Sequence, residues 1–166
     1  MIAGVTIAAA LARASNAANR LTEHVLIPLT VVFVGIIFGA VFTRFVLHHP
    51  IVESVELGRL AFVWVMLLAA AVGVHRRAHV AVVALRDRLP DRWARRTEVV
   101  VHLISAVFGT MMCFYGGELA AKVWGTSFPT LGWSQAWLYL PLAVSGMLIA
   151  LHGLHLAADT VQGHSR

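Results

Sequence analysis

Four long apolar stretches, separated by short polar segments, constrain this chain more than any other feature. They run roughly over residues 25–47, 57–74, 97–117 and 134–156. An α-helix rises about 1.5 Å per residue, so about 20 apolar residues cross a hydrocarbon core of about 30 Å. A segment that crosses a bilayer must satisfy its own backbone hydrogen bonds, which a helix does. The sequence therefore predicts an all-α integral membrane protein with four transmembrane helices.

The composition agrees with this fold class. Hydrophobic residues make up 59% of the 166 residues and charged residues 13%, against about 45–50% and about 25% in soluble domains. Four spans leave no room for a separate soluble domain, so we expect one membrane domain over residues 1–166. The net charge of +5 does not indicate a nucleic-acid partner, because the arginines lie between apolar stretches, where the positive-inside rule accounts for them.

The basic residues are divided unequally between the two sides of the predicted bundle. Ten lie in the N-terminal segment, the 75–96 segment and the C-terminus, whereas Arg44, Arg59 and Lys122 lie opposite. This predicts a multi-pass protein of the bacterial inner membrane with both termini in the cytoplasm. Aromatic side chains are expected to anchor the bundle among membrane lipids. They are Trp93 on the inner side and Trp124, Trp133, Trp137 and Tyr139 on the outer side.

Two further segments have helical periodicity. Val82, Leu85, Leu89 and Trp93 recur every three to four residues among arginines, which predicts an amphipathic interfacial helix between spans two and three. Before span one, four polar residues from Arg13 to Glu23 share one helical face. That pattern fits either a second interfacial helix or a frayed lead-in to span one. Pro28 is expected in the first turn of that span, where a missing N–H costs least.

The span centres lack the groups that chemistry or ion binding would need. A transport site near the bilayer midplane requires polar or charged side chains, and the centres of spans one, three and four hold only Ser, Thr, Gly, Cys and apolar residues. We expect no catalytic residues and no metal or cofactor site, and therefore no enzyme.

Charged residues do occur at the span ends. Glu56 and Arg59 are spaced to share one face of span two, and Arg44 ends span one at a similar depth. Two interpretations stay open: a local ion-pair cluster that fixes two helix ends, or a contact of Glu56 or Arg59 with a partner subunit. Glu118 and Lys122 are predicted to form an i,i+4 ion pair.

Histidines near one end of the spans offer an alternative function. His75, His102, His152 and His155 all map to the predicted cytoplasmic ends. Two facing histidines at one depth ligate haem b in membrane anchors of respiratory oxidoreductases, so that class is the second hypothesis. A third is a small oligomeric drug exporter, which would need an acidic residue within an early span.

Short motifs in order along the chain resemble a known family. Span two begins with Glu56-Leu57-Gly58-Arg59, contains Trp64, and ends with Gly73 and the run His75 to Val80. Tyr115-Gly116-Gly117, Ser127-Phe128-Pro129, Trp133 and the run Trp137 to Pro141 follow. This order resembles the small membrane subunit, the DctQ component, of the tripartite ATP-independent periplasmic (TRAP) transporters, over about residues 33 to 148. The N-terminal extension and the C-terminal end depart from the pattern.

The resemblance implies a scaffold role. In that family the small subunit pairs with a large multi-span membrane subunit, which carries the substrate and sodium sites, and a periplasmic solute-binding protein delivers the solute, often a carboxylate. We therefore expect no cofactor in this chain. Its small-xxx-small face of Gly35 and Gly39 fits either a partner helix or internal packing. The remaining candidate structural or subunit-interface residues are Arg44, Glu56, Arg59, Trp64, Arg77 and His79.

Overall fold

The computed structural model of the protein describes residues 2–76 and 91–161, with side chains described for residues 9–76 and 93–161. Its helices are α1 (Ile2–Phe45), α2 (Glu53–His75), α3 (Asp91–Lys122) and α4 (Ala136–Val161). All four are long and apolar enough to cross a membrane. The predicted all-α membrane fold with four spans is confirmed. The interfacial helix predicted between spans two and three, together with Arg77 and His79, lies outside the described residues.

Helix α1 is much longer than the predicted first span. Residues 2–45 form one uninterrupted helix, so the frayed lead-in was the wrong alternative for the N-terminal segment, and its placement at the membrane interface stays a prediction. Pro28 consequently lies inside the helix rather than in a first turn. Its missing N–H leaves the carbonyl of His24 without the usual helical donor.

Helices α1, α2 and α4 share one hydrophobic core. Leu68, Ala71 and Val74 of α2 pack against Leu148 and Ile149 of α4. Ala18, Leu26 and Leu29 of α1 cover this cluster from the side. The small residue Ala71, which is fully buried, lets the helices approach closely without a polar group inside the core.

Helix α3 packs against α4 through glycines. A Cβ atom on Gly146 would lie 2.5 Å from the backbone nitrogen of Cys113 and 2.7 Å from the carbonyl oxygen of Gly109. A Cβ atom on Gly116 would lie 2.7 Å from the backbone nitrogen of Ala143, and one on Gly153 would lie 2.8 Å from that of Ala106. The two backbones are therefore in direct contact along the seam, which is how membrane helices gain van der Waals packing without a hydrophobic driving force.

The loop between α3 and α4 is folded back on itself. The amide of Phe128 donates to the carbonyl of Trp133 (2.8 Å), and the amide of Gln135 donates to that of Thr126 (2.8 Å). Gly132 provides the positive φ of +68° that the turn requires, and the side chain of Phe128 is buried beneath it. This loop and the first turn of α2 lie at one end of the bundle, called here the Glu56 end. The opposite end, where α2 finishes, is called the His75 end.

Candidate interface surfaces and buried polar contacts

At the Glu56 end, a carboxylate fastens α2 to the loop that precedes α4. One oxygen of Glu56 accepts hydrogen bonds from the backbone amides of Leu131 (2.9 Å) and Thr130 (3.2 Å). The predicted ion-pair cluster was wrong: among the described residues no ion pair joins Glu56 to Arg59 or to Arg44. Glu56 binds backbone amides because the α3–α4 loop folds back over the first turn of α2. The spacing of charged residues within α2 did not indicate this fold of the loop.

The two arginines of that predicted cluster are exposed instead. The guanidinium of Arg44 lies 5.7 Å from the ring centroid of Phe45, and Arg59 points away from the core. Both remain candidates for contact with a partner or with lipid headgroups. By contrast, the predicted pair of Glu118 and Lys122 is confirmed, with 2.7 Å between the carboxylate oxygen and the ammonium nitrogen.

Trp64 forms a hydrogen bond between helices. Its indole N–H donates to the backbone carbonyl of Trp137 in α4 at 3.0 Å, and its ring packs against the shared core. Trp64 was predicted as a structural or subunit-interface candidate. In the structure its indole nitrogen has a partner within the chain, the carbonyl of Trp137.

At the His75 end, a buried hydroxyl sits between two imidazoles. Ser15 Oγ lies 2.8 Å from Nδ1 of His152 and 3.3 Å from Nδ1 of His75. Ser15 and His152 are fully buried, and the ring centroids of His75 and His152 are 4.8 Å apart. This contact joins the N-terminal part of α1 to α2 and α4. Sequence reasoning placed the two histidines at one depth but did not find Ser15.

This geometry does not support the haem alternative. A bis-histidine haem holds its iron and a flat macrocycle between the two imidazoles, and rings that touch leave no space for it. His102 is engaged elsewhere on α3, where its Nε2 lies 3.9 Å from a carboxylate oxygen of Glu98. Within residues 2–76 and 91–161, no group of three His, Cys, Asp or Glu side chains is arranged to hold a metal ion.

Beside the Ser15 contact lies an ion pair between α1 and α2. Nη2 of Arg76 is 2.8 Å from Oε1 of Glu23, which also accepts a hydrogen bond from Asn19 at 2.9 Å. Sequence analysis placed Glu23 on a polar face and Arg76 at the end of span two without pairing them. Their opposite charges at the same predicted depth were the signal that would have found the pair.

The outer faces of α1 and α3 are apolar and unpacked within the described chain. Exposed hydrophobic side chains follow α1 from Leu21 to Phe45 and α3 from Val100 to Tyr115. On α1, a Cβ atom on Gly35 or Gly39 would meet no atom of another element within 4 Å. Packing within residues 2–76 and 91–161 therefore does not explain the small-xxx-small face, which in that part of the chain is open to lipid or to a helix of another chain.

The predicted anchoring aromatics lie near the two ends of the bundle. Trp124, Trp133 and Trp137 are about half exposed at the Glu56 end, and Tyr139 is half-buried there. Trp93 is exposed near the start of α3, and the guanidinium of Arg96 lies 5.5 Å from its ring centroid. A cation over an indole is a favourable contact, and both groups suit a membrane–water boundary.

Four helices able to cross a membrane, packed around a small apolar core, define a multi-pass membrane protein. Residues 33–163 match the family model of the tripartite ATP-independent periplasmic transporters, DctQ component. The chain belongs to this family, and it is accordingly a transporter component rather than an enzyme.

Individual relatives agree with that membership. The chain is 28% identical over 138 residues to the sialic acid TRAP transporter small permease protein SiaQ of Vibrio cholerae, covering 82% of this chain and 79% of the relative. It is 28% identical over 134 residues to the sialic acid TRAP transporter permease protein SiaT of Haemophilus influenzae, covering 79% of this chain but 21% of that longer protein. A putative TRAP transporter small permease protein of Haemophilus influenzae is 22% identical over 130 residues, 78% of each chain.

Proposed function

We propose that this chain is the small permease subunit of a TRAP-type secondary transporter and that it braces a large, sodium-coupled membrane subunit. The transporter would take up an organic solute, a carboxylate, that a periplasmic binding protein delivers. Family membership supports this role. The relative SiaT supports it as well, because a segment similar to this chain makes up 21% of that long permease. In SiaT this segment and the rest of the permease belong to one polypeptide, which is consistent with a lasting contact between a small and a large subunit.

One observation carries the scaffold role. No Asp, Glu, Lys or Arg occurs between Glu23 and Arg44 of α1 or between Arg59 and Arg76, and α4 has none before Asp159. A carboxylate solute and its coupling ions would need such groups or broken helices near the midplane. This chain therefore offers surface rather than a transport site, and we assign the sodium and solute sites to the large subunit, with no cofactor here.

The outer face of α1 around Gly35 and Gly39 is the surface we assign to the large subunit. Apolar side chains line it, and neither glycine has a neighbour from another helix among the residues that the structure describes. Small residues let a partner helix approach the backbone closely. In this proposal the His75 end faces the cytoplasm, because ten of the basic residues belong to that side.

Reconstitution in liposomes tests the function. The chain alone should show no sodium-dependent uptake of radiolabelled carboxylates, with sialic acid as the first solute because two relatives are sialic acid transporter proteins. In the proposed system, a cognate large subunit and binding protein should transport their solute only when this chain is present. Sodium-driven uptake by this chain alone, or full uptake without it, would overturn the scaffold role.

A further inference from the structure

Helix α4 contains a proline where the backbone has to be satisfied by other means. Pro141 is fully buried in α4. Because proline has no N–H, the carbonyl four residues earlier receives no helical hydrogen bond. That carbonyl belongs to Trp137. A carbonyl that lacks a donor is costly wherever water does not replace it, so membrane helices that contain proline find a substitute donor in a neighbouring helix, side chain or water.

The substitute donor is present, and it comes from another helix. The carbonyl that accepts the indole N–H of Trp64 at 3.0 Å is that of Trp137. An indole nitrogen is a donor only, so the half-buried side chain of Trp64 needs one acceptor, and the proline has left one acceptor free. The two requirements meet at a single atom, although 73 positions separate the donor residue from the acceptor residue.

We infer that Trp64 is a positioning residue for α4: its indole N–H replaces the amide N–H that Pro141 lacks, which locks α2 to α4 at this level. Trp64 in span two and Pro141 in span four, two separate features of the sequence pattern, are then the two halves of one link. This inference does not depend on the transport function, because it concerns a contact within the chain.

A second contact provides the matched control. Glu56 also joins α2 to the region before α4, but it does so through the amides of Thr130 and Leu131. Those amides lie outside the helical ladder of α4. A substitution at Glu56 should therefore weaken the contact between α2 and the α4 region, and the loss of stability should not depend on whether residue 141 is proline.

The direct test observes the indole hydrogen. The full chain, labelled with ¹⁵N-tryptophan and placed in lipid nanodiscs, has five indole signals, one for each tryptophan, and W64F identifies the one that belongs to Trp64. This hydrogen should exchange with deuterium about tenfold more slowly than those of the exposed Trp124 and Trp133, as an intact hydrogen bond requires. In P141A the new amide competes for the carbonyl, so exchange at Trp64 should accelerate. A Trp64 signal that exchanges as fast as the exposed ones, or that P141A leaves unchanged, would overturn the inference.

A double-mutant cycle tests the dependence by stability. W64F should lower the melting temperature of the full chain, and in the P141A background it should lower it much less, since residue 141 then supplies its own donor. E56Q should cost the same in both backgrounds. P141V also restores the N–H and replaces P141A if the smaller side chain prevents folding. Equal losses from W64F with and without proline at position 141 would show that the two residues act independently.

Discussion

Ser15 is a small residue in an alanine-rich segment, yet it holds three helices together. Its hydroxyl forms a hydrogen bond with Nδ1 of His152, and both side chains are fully buried. A hydroxyl both donates and accepts, so it can donate to one imidazole and accept from the other. Alanine at this position would fit sterically but would leave the buried Nδ1 of His152 without the hydroxyl.

We therefore expect S15A to destabilise the protein by about 1–3 kcal/mol, the usual penalty for leaving a buried polar group unsatisfied. The measurement is the thermal unfolding of the purified full chain in detergent. S105A is the matched control, because the Ser105 hydroxyl bonds only to the Val101 carbonyl in its own helix. Equal losses from the two variants would contradict the role given to Ser15.

At the scale of helices, contact distance separates two groups of glycines that look alike in the sequence. Gly109, Gly116, Gly146 and Gly153 line the α3–α4 seam, where an added Cβ would lie within 3 Å of backbone atoms of the other helix. Gly35, Gly39 and Gly117 have no such neighbour. The first group allows α3 and α4 to pack closely within the chain, whereas the second group, among the described residues, is available for contact with lipid or another chain.

The seam makes Gly146 intolerant of even one methyl group. In G146A the new Cβ would meet the backbone of Cys113, so α3 and α4 have to separate along their length. We expect a loss of about 1–3 kcal/mol or more, measured as a lower melting temperature. G117A, in an open position of α3, should cost nothing, because alanine is also the better helix former. Loss of stability in G117A to the same extent would show that the seam is not the cause.

The open glycines of α1 give the opposite expectation. Gly35→Leu combined with Gly39→Leu should leave the melting temperature of the isolated chain unchanged, since neither site contacts another element. The same double variant should reduce co-purification with the large subunit severalfold, because bulky side chains keep a partner helix away. Leucine at Gly117 is the control for a bulky residue on another open face. Unchanged co-purification of the double variant would remove the α1 face from the proposed interface.

At the scale of the whole molecule, polar contacts close both ends of an apolar bundle. The Glu56 carboxylate fastens one end to the α3–α4 loop, and Ser15 with the Glu23–Arg76 ion pair fastens the other. Among the described residues, the buried side chains between these ends are apolar apart from small residues such as Ser145, whose hydroxyl donates to the carbonyl of Pro141. Polar contacts at both ends agree with the scaffold role that we propose for this chain.

The orientation of this body is testable. Reporter fusions near Arg20, Arg88 and Arg166 should be cytoplasmic, and those near Val52 and Thr130 should be periplasmic, on the unequal division of basic residues. Cysteine labelling from the outside of intact cells provides an independent check at the same positions. A periplasmic signal from residue 88 would invert the proposed topology.

The sequence by itself determined the fold class, the number of spans and the family. Each of these depends on long apolar runs and on the order of motifs, which are local properties of the chain. Tertiary structure decided the partners of individual polar groups. A pair of Glu56 with Arg59, one turn away, was one of two open interpretations, but Glu56 binds loop amides more than seventy positions distant. Ser15 and Trp64 likewise have partners on other helices. A short polar side chain reaches only a few ångströms, so its partner depends on how the helices are rotated and how deep each one sits. Those quantities are fixed by close packing between distant segments, and no local pattern records them.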